Sequence, residues 1–277
     1  MSGAERGVRA VDVTRFEANS SPRELADQVV IEEPLEIRVA GEALAVTMRT
    51  PGHDHELVAG FALAEGLIAS RDDLGGIAHC GRPDQEGYGN VIELTPAAGS
   101  TFDVDHKVLR RGTLTTSACG VCGRRTISDL LERLQPLDDA VRAARATLIR
   151  LTAELRGEQH NFAATGGLHA AGIADVAGSY IVVREDVGRH NAVDKAIGRL
   201  LLDARLPARE RILVVSGRSS FEIVQKAFVA RVPIVVSVSA PSSLAIETAI
   251  STGMTLIGFS RAQGFNVYSG PERVSEL

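Results

Sequence analysis

Between residues 179 and 258, short apolar runs alternate with longer segments of helical period. Tyr180–Val183, Ile212–Val215, Pro233–Val236 and Thr255–Gly258 read as strands, and 190–204, 220–230 and 243–252 read as the helices between them. The Val/Ile runs show no polar alternation, so each strand is expected to be buried on both faces. That pattern predicts a mainly parallel sheet covered by helices. Upstream, Pro34–Val39 alternates, Gly41-Glu42 supplies a turn and Ala43–Met48 alternates again, which predicts a hairpin. Thr50-Pro51-Gly52 breaks it. Asp54 can then cap a helix from about His55 to Ile68, with Leu57, Phe61, Leu63 and Leu67 turned inward. Gly76–Cys80 and Asn90–Leu94 are short strand candidates. Helices are expected over 126–135 and 139–156, with Pro136 between them. Residues 1–28 are polar and irregular. The division that follows is a loose arm (1–28), a small mixed α+β unit (29–110) and a larger α/β unit (111–277).

Composition narrows the function classes. The chain has 277 residues, 44% of them hydrophobic, and a formal net charge of −5, enough for a sizeable core of Leu, Ile, Val and Ala without any Trp. A slightly acidic chain is not expected to bind nucleic acid generally. No apolar run approaches membrane-spanning length, and residues 1–20 lack the apolar core of a signal peptide. Three cysteines do not make a disulfide framework, so a reducing cytoplasm is the expected location.

Two of those cysteines form the densest chemical signal, Ser117-Ala118-Cys119-Gly120-Val121-Cys122-Gly123, followed by Arg124 and Arg125. Ile127, Leu130, Leu131 and Leu134 then recur at helical spacing. Thiols near a helix N-terminus and two guanidinium groups are biased toward the thiolate. Cys119 and Cys122 have three readings. A zinc half-site needs two more ligands, drawn from Cys80 or the seven histidines. A thioredoxin-like pair usually has an aromatic neighbour, and none stands here. A sulfur relay needs a reactive thiolate on a loop. An inert buried pair is disfavoured by the flanking glycines and arginines. His53, Asp54, His55 and Glu56 make a second polar cluster. On a helix His53 and His55 point in different directions, so capping or cleft lining competes with ligation, and no metal site is assigned.

In open α/β sheets ligands bind beyond the carboxyl ends of the strands. Four polar loops fall there: Arg184–Asn191, Ser216–Ser220, Ser237–Ser243 and Phe259–Gly264. Each alone is explained by helix capping. Together, with Arg189, Arg218 and Arg261, they are better explained by an anionic ligand held by backbone N–H groups and arginine. No P-loop or G-x-G-x-x-G is present. Holding the first loop through an ion pair is the expected role of at least one of Asp186, Asp194 and Lys195. His169, beside Thr165-Gly166-Gly167, is either a satisfied core histidine or part of a cleft.

The same blocks carry a resemblance. Arg49–Leu57 with Gly60-Phe61 and Glu65-Gly66, Ser117–Gly123, Thr165–Ala171, Arg184–Lys195, Ser216–Ser220, Ser237–Pro241, and Leu256–Arg261 with Asn266–Tyr268 together resemble the FdhD family of sulfur carriers (sulfurtransferases) needed for formate dehydrogenase activity. The resemblance implies a cytoplasmic homodimer whose larger unit has a cytidine-deaminase-like fold. It implies that Cys119 carries a persulfide received from a cysteine desulfurase of the IscS type, with Cys122 as helper or second carrier. The acceptor would be the molybdenum cofactor in its bis(molybdopterin guanine dinucleotide) form, before insertion into formate dehydrogenase. Phe259, Ser260, Arg261, Ala262, Gln263 and Gly264 match the family's cofactor-binding stretch, and Arg218, His169 and Arg189 join them as candidate contacts. Ala262-Gln263-Gly264 is a variable part of that stretch, where backbone contacts would have to be shared. Two other functions compete. A cofactor-binding chaperone would move no sulfur. A zinc nucleobase deaminase would need H-x-E and P-C-x-x-C, but Ala118 precedes Cys119 and no His has Glu two residues on.

Overall fold

A computed structural model describes residues 7–82, 88–102, 114–115, 134–138 and 140–276. Cys119, Cys122 and the helix expected over 126–135 lie outside the described residues, apart from Leu134 and Gln135 at that helix's end.

The hairpin appears as expected: β3 (Glu33–Val39) pairs antiparallel with β4 (Glu42–Arg49). They belong to a five-stranded sheet in the order β5-β6-β3-β4-β7, with β5 Leu74–His79, β6 Val91–Pro96 and β7 Leu114–Thr115. Helix α1 spans Asp54–Glu65. It starts one residue earlier than expected, because the Asp54 carboxylate is engaged by Arg49 rather than capping. His53, at φ 58°, takes the capping position without a side-chain cap.

From Val8 onward the arm expected to be loose is an antiparallel hairpin. β1 (Val8–Arg15) and β2 (Arg23–Val30) pair antiparallel from Val8↔Val30 to Arg15↔Arg23. Both strands mix polar and apolar residues on each face, so a clean period-2 hydrophobicity, the usual strand signal, is missing.

The larger sheet has the order β10-β9-β11-β12-β13-β14: β9 His169–Asp175, β10 Tyr180–Asp186, β11 Arg211–Val215, β12 Ile234–Ser237, β13 Thr255–Arg261 and β14 Gly264–Ser269. It is mixed rather than mainly parallel. β11/β12 and β12/β13 are parallel, while β10/β9, β9/β11 and β13/β14 are antiparallel. Apolar runs report burial on both faces, not direction, and short turns at Val176–Ser179 and Ala262-Gln263 force the chain back alongside itself. The helices are α2 (Arg145–Gly157), α3 (His160–Thr165), α4 (Arg189–Leu202), α5 (Phe221–Val229) and α6 (Ser243–Ser251). The helix expected from 139 begins only at 145, because Ala143-Ala144 (β8) pairs with the distant Val274-Ser275 (β15).

Alternate residues of the central strands feed two cores. Ile212, Val214, Ile234, Val236 and Ile257 pack with Leu148, Leu151 and Leu155 of α2. Leu213, Val215, Val235 and Leu256 pack on the other face with α1, α4 and α5. Each such fully buried aliphatic side chain contributes about 1.5–3 kcal/mol relative to exposure. The second core continues into Leu35, Ile37, Ile92 and Leu94 of the five-stranded sheet, so the two units expected from sequence share one interior. Their seam is α1 against α4. A Cβ on Gly60 would lie 2.0 Å from the Asp194 carbonyl oxygen, and one on Gly198 would lie 1.8 Å from that of Glu56. Among the described residues no helix is long and apolar enough to cross a membrane.

Candidate anion-binding edge

β9 runs against β10 and β11, so its first residue, His169, stands at their carboxyl ends, opposite Asp186. The turn before it follows from sequence: Gly166 adopts φ 69° to end α3, and its N–H donates to the Phe162 carbonyl at 2.7 Å. His169, Arg189 and Gly217 meet at this edge. A Cβ on Gly217 would touch His169 Nδ1 at 3.3 Å and Arg189 Cδ at 3.8 Å. Burial lowers the His169 pKa, and the nearby Arg189 and Arg218 charges lower it further against the opposing pull of Asp186. Both effects favour the neutral form of the imidazole near two guanidinium groups. His190, next to Arg189 in the first turn of α4, is buried and pushed down to about 3, by burial first and then by Lys226, Arg189 and His169.

Helix capping does not use up this edge. Ser242 caps α6 by accepting the Ala245 N–H at 3.3 Å, and the Ser237 hydroxyl closes on the Ser239 carbonyl at 2.7 Å, so the third loop satisfies itself. The starts of α4 and α5 differ. Neither Gly188 nor Ser220 provides a side-chain cap. Ser220 Oγ is hydrogen-bonded instead to His190 Nε2 at 3.0 Å. Ser219 Oγ is buried with no partner among the described residues, and so is Arg189 Nε. A buried hydroxyl and a guanidinium N–H without partners are costly unless a ligand engages them. Two uncapped helix N-termini, Arg189, Arg218 and a neutral histidine make up a donor set suited to phosphate-like oxygens.

The Phe259–Gly264 stretch forms the end of the β13–β14 hairpin. It projects from the same edge, two strands further along than β11. Arg261 pairs with Gly264, leaving Ala262-Gln263 as the exposed tip. Phe259, at φ 54° and half-exposed, donates its N–H to the Ser239 carbonyl at 3.2 Å. Two side chains of this stretch already have partners. The Ser260 side chain points to the opposite face, hydrogen-bonded to Thr152 Oγ1 at 3.3 Å, so only its backbone can serve a ligand. Arg261 turns Nη1 to the carbonyls of Val238 and Ser260, so part of its donor capacity is already used. His169 and Phe259 lie on strands three spacings apart, roughly 14 Å. That span suits an extended ligand better than an isolated phosphate.

The long motif from Arg184 to Lys195 proves to be largely internal wiring. Arg184 makes a bidentate pair with Glu56, at 2.5 and 2.8 Å. Glu185 accepts the N–H groups of Asn161 and Phe162 at the start of α3. Asp186 accepts from Thr50 N–H, Gly188 N–H and Asn191 Nδ2, and pairs with Lys195 at 2.7 Å. Asp194 pairs with Lys226. Asp186 and Lys195 thus hold the first loop by an ion pair, as expected of at least one of the three, whereas Asp194 joins α4 to α5. Arg189 and His190 are the members left facing the edge. Ser219, Ser220 and His190 were not singled out as individual site residues from sequence, because an orphaned hydroxyl is a property of packing.

The His53–Glu56 cluster divides. Glu56 goes to Arg184, Asp54 to Arg49, and His79, whose pKa burial lowers, stands 3.6 Å from Asp54. Among the described residues no three His, Cys, Asp or Glu side chains gather as metal donors.

Comparison with known proteins agrees with this architecture. The model of the FdhD/NarQ family matches residues 30–275. A relative named sulfur carrier protein FdhD, from Anaeromyxobacter dehalogenans, is 50% identical over 256 residues, covering 90% of this chain and 88% of its own. Another of that name, from Mycolicibacterium paratuberculosis, is 45% identical over 271 residues, covering 96% and 97%. A crystal structure from Desulfotalea psychrophila, described as that of a formate dehydrogenase accessory protein, superposes with a TM-score of 0.74 at 24% identity over 97% of this chain and 100% of that one; it speaks to the fold alone. With its blocks in place from Arg49 to Tyr268 and the family's pattern matched over most of its length, the chain belongs to the FdhD/NarQ family.

Proposed function

We propose that the protein is a sulfur carrier that activates formate dehydrogenase by passing sulfur from a cysteine desulfurase to the molybdenum cofactor in its bis(molybdopterin guanine dinucleotide) form. The observation that carries this reading is the donor set at one sheet edge, Arg189 and Ser219 with unpartnered polar atoms beside His169 and Arg218, in a chain whose relatives are named sulfur carriers. A guanine dinucleotide brings a diphosphate, which fits such an edge, and Phe259 offers an exposed ring two strands away. The protein is proposed to act as a cytoplasmic homodimer.

In loading, the Cys119 thiolate attacks the outer sulfur of the desulfurase persulfide. One S–S bond forms as another breaks, and the desulfurase cysteine leaves as thiolate. The carried sulfur is at the oxidation level of elemental sulfur, so its release as sulfide takes two electrons. Attack of the Cys122 thiolate on Cys119 Sγ supplies them, expels hydrosulfide toward the acceptor and leaves a Cys119–Cys122 disulfide for a dithiol reductant to reopen.

The test is intact-mass analysis after incubation with a cysteine desulfurase and cysteine, followed by activation of formate dehydrogenase. One added, reducible sulfur that is lost in Cys119→Ala, together with loss of activation, is the expected result. Full activation by Cys119→Ala would overturn sulfur transfer and favour a cofactor-binding chaperone.

A further inference from the structure

Two positions beyond Arg189, the first turn of α4 carries Asn191, 6% exposed. Its amide is fully used across the seam between the two sheets. Nδ2 donates to the Met48 carbonyl at 2.8 Å and to Asp186 Oδ1 at 3.0 Å, and Oδ1 accepts the Thr47 hydroxyl at 3.3 Å. Thr47 and Met48 belong to β4. On its outer edge β4 pairs in parallel with β7, with Val46 opposite Leu114 and Thr47 opposite Thr115. β7 ends four positions before Cys119. The residue bonded to Asn191 is therefore the one in register with the last strand residue ahead of the cysteine motif.

We infer that Asn191 is a positioning residue: by fixing β4 to the Asp186–Arg189 loop, it sets where the chain leading to Cys119 starts relative to the ligand edge, and this is required for delivering sulfur but not for receiving it. The inference rests on the sulfur-carrier reading above. Receiving sulfur needs only that the thiol meet an external enzyme. Delivering it needs the thiol to meet a ligand held on the same molecule, an encounter governed by distance and orientation. Four residues span at most about 14 Å, so the position of β7 limits which part of the edge the thiol can meet. Asparagine suits this place because it donates twice and accepts once. Aspartate would set a second carboxylate against Asp186, and alanine would leave the Met48 carbonyl without this donor.

The experiment compares Asn191→Ala, Thr47→Val and Thr47→Ser in two assays, sulfur uptake from a cysteine desulfurase by intact mass and activation of formate dehydrogenase. The expected result is wild-type uptake in all three. Activation should fall about tenfold or more in Asn191→Ala, fall a few-fold in Thr47→Val, and be retained in Thr47→Ser, which keeps the hydroxyl. A packing role predicts the opposite order, since valine fills the space of threonine and serine does not. Should Asn191→Ala fail to fold, the two Thr47 variants decide the matter. Full activation by Thr47→Val, or uptake and activation falling together, would overturn the inference. Absence of uptake by the unsubstituted protein would instead overturn the sulfur-carrier reading, and the inference with it.

Discussion

Lys195 and Asp186 meet at 2.7 Å with the ammonium 1% and the carboxylate 0% exposed. The lysine also donates to the Thr50 carbonyl at 2.8 Å, so the pair joins α4 to the segment after β4. A buried pair is costly to break, because removing one partner strands the other charge. Lys195→Met is expected to lower stability by about 3–5 kcal/mol, read as a fall in the urea midpoint, and replacing both Lys195 and Asp186 with neutral residues should cost less than the single change.

The α1/α4 seam predicts a contrast between two glycines in helices. Gly198→Ala puts a methyl group within 1.8 Å of backbone oxygen and must push the helices apart, at a cost of about 1–3 kcal/mol or more. Gly157→Ala, whose added carbon meets no neighbouring element among the described residues within 4 Å, should be neutral or raise the melting temperature. Thermal unfolding of both variants checks this.

Glu56 gives the fold a defined acid sensitivity. Burial would raise its pKa, but the hydrogen bonds from Arg184, with a smaller contribution from His53, reverse that and hold it at about 2. A native pKa below the unfolded value of about 4.3 means that the contribution is fully present above that pH and is lost as pH falls toward 2. Glu56→Gln should therefore be clearly less stable than the parent at pH 6, and the two should converge as pH drops through that window in denaturant titrations.

At the edge formed by Arg189 and Ser219, guanosine diphosphate serves as a probe of the proposed diphosphate contacts. Arg189→Ala and Ser219→Ala are expected to weaken its binding about tenfold each, measured calorimetrically, with a shallower salt dependence for the arginine variant only. Arg261→Ala should weaken it less, since Nη1 of that residue already serves the Val238 and Ser260 carbonyls.

What the sequence made legible follows from how local each signal is. β3, β4, α1 and the β11–β13 strands announce themselves because their apolar pattern reflects burial along a single stretch. β9 stays hidden because it is built of small residues. Gly172 leaves room for the Tyr180 ring, which would lie 2.4 Å from a Cβ there, and that partner is known only once the strands pair. β1 and β2 stay hidden because neither has an apolar face. Residue type marked Arg189 and Arg218 as candidate anion ligands, and the fold brings both near His169. Residue type could not show that the Ser260 hydroxyl turns to Thr152, since strand alternation at the Phe259 irregularity decides which way it points. Asp54 read as a cap until Arg49, five residues back, claimed it.

The contact between Gly60 and Gly198 has a mechanical consequence. With backbone against side-chain-free backbone, and the Glu56–Arg184 and Asp186–Lys195 pairs bracketing the crossing, the two sheets cannot open and close like the covers of a book. The body is a fixed frame. A ligand proposed to bind at the Arg189 edge would meet a surface that does not reshape around it.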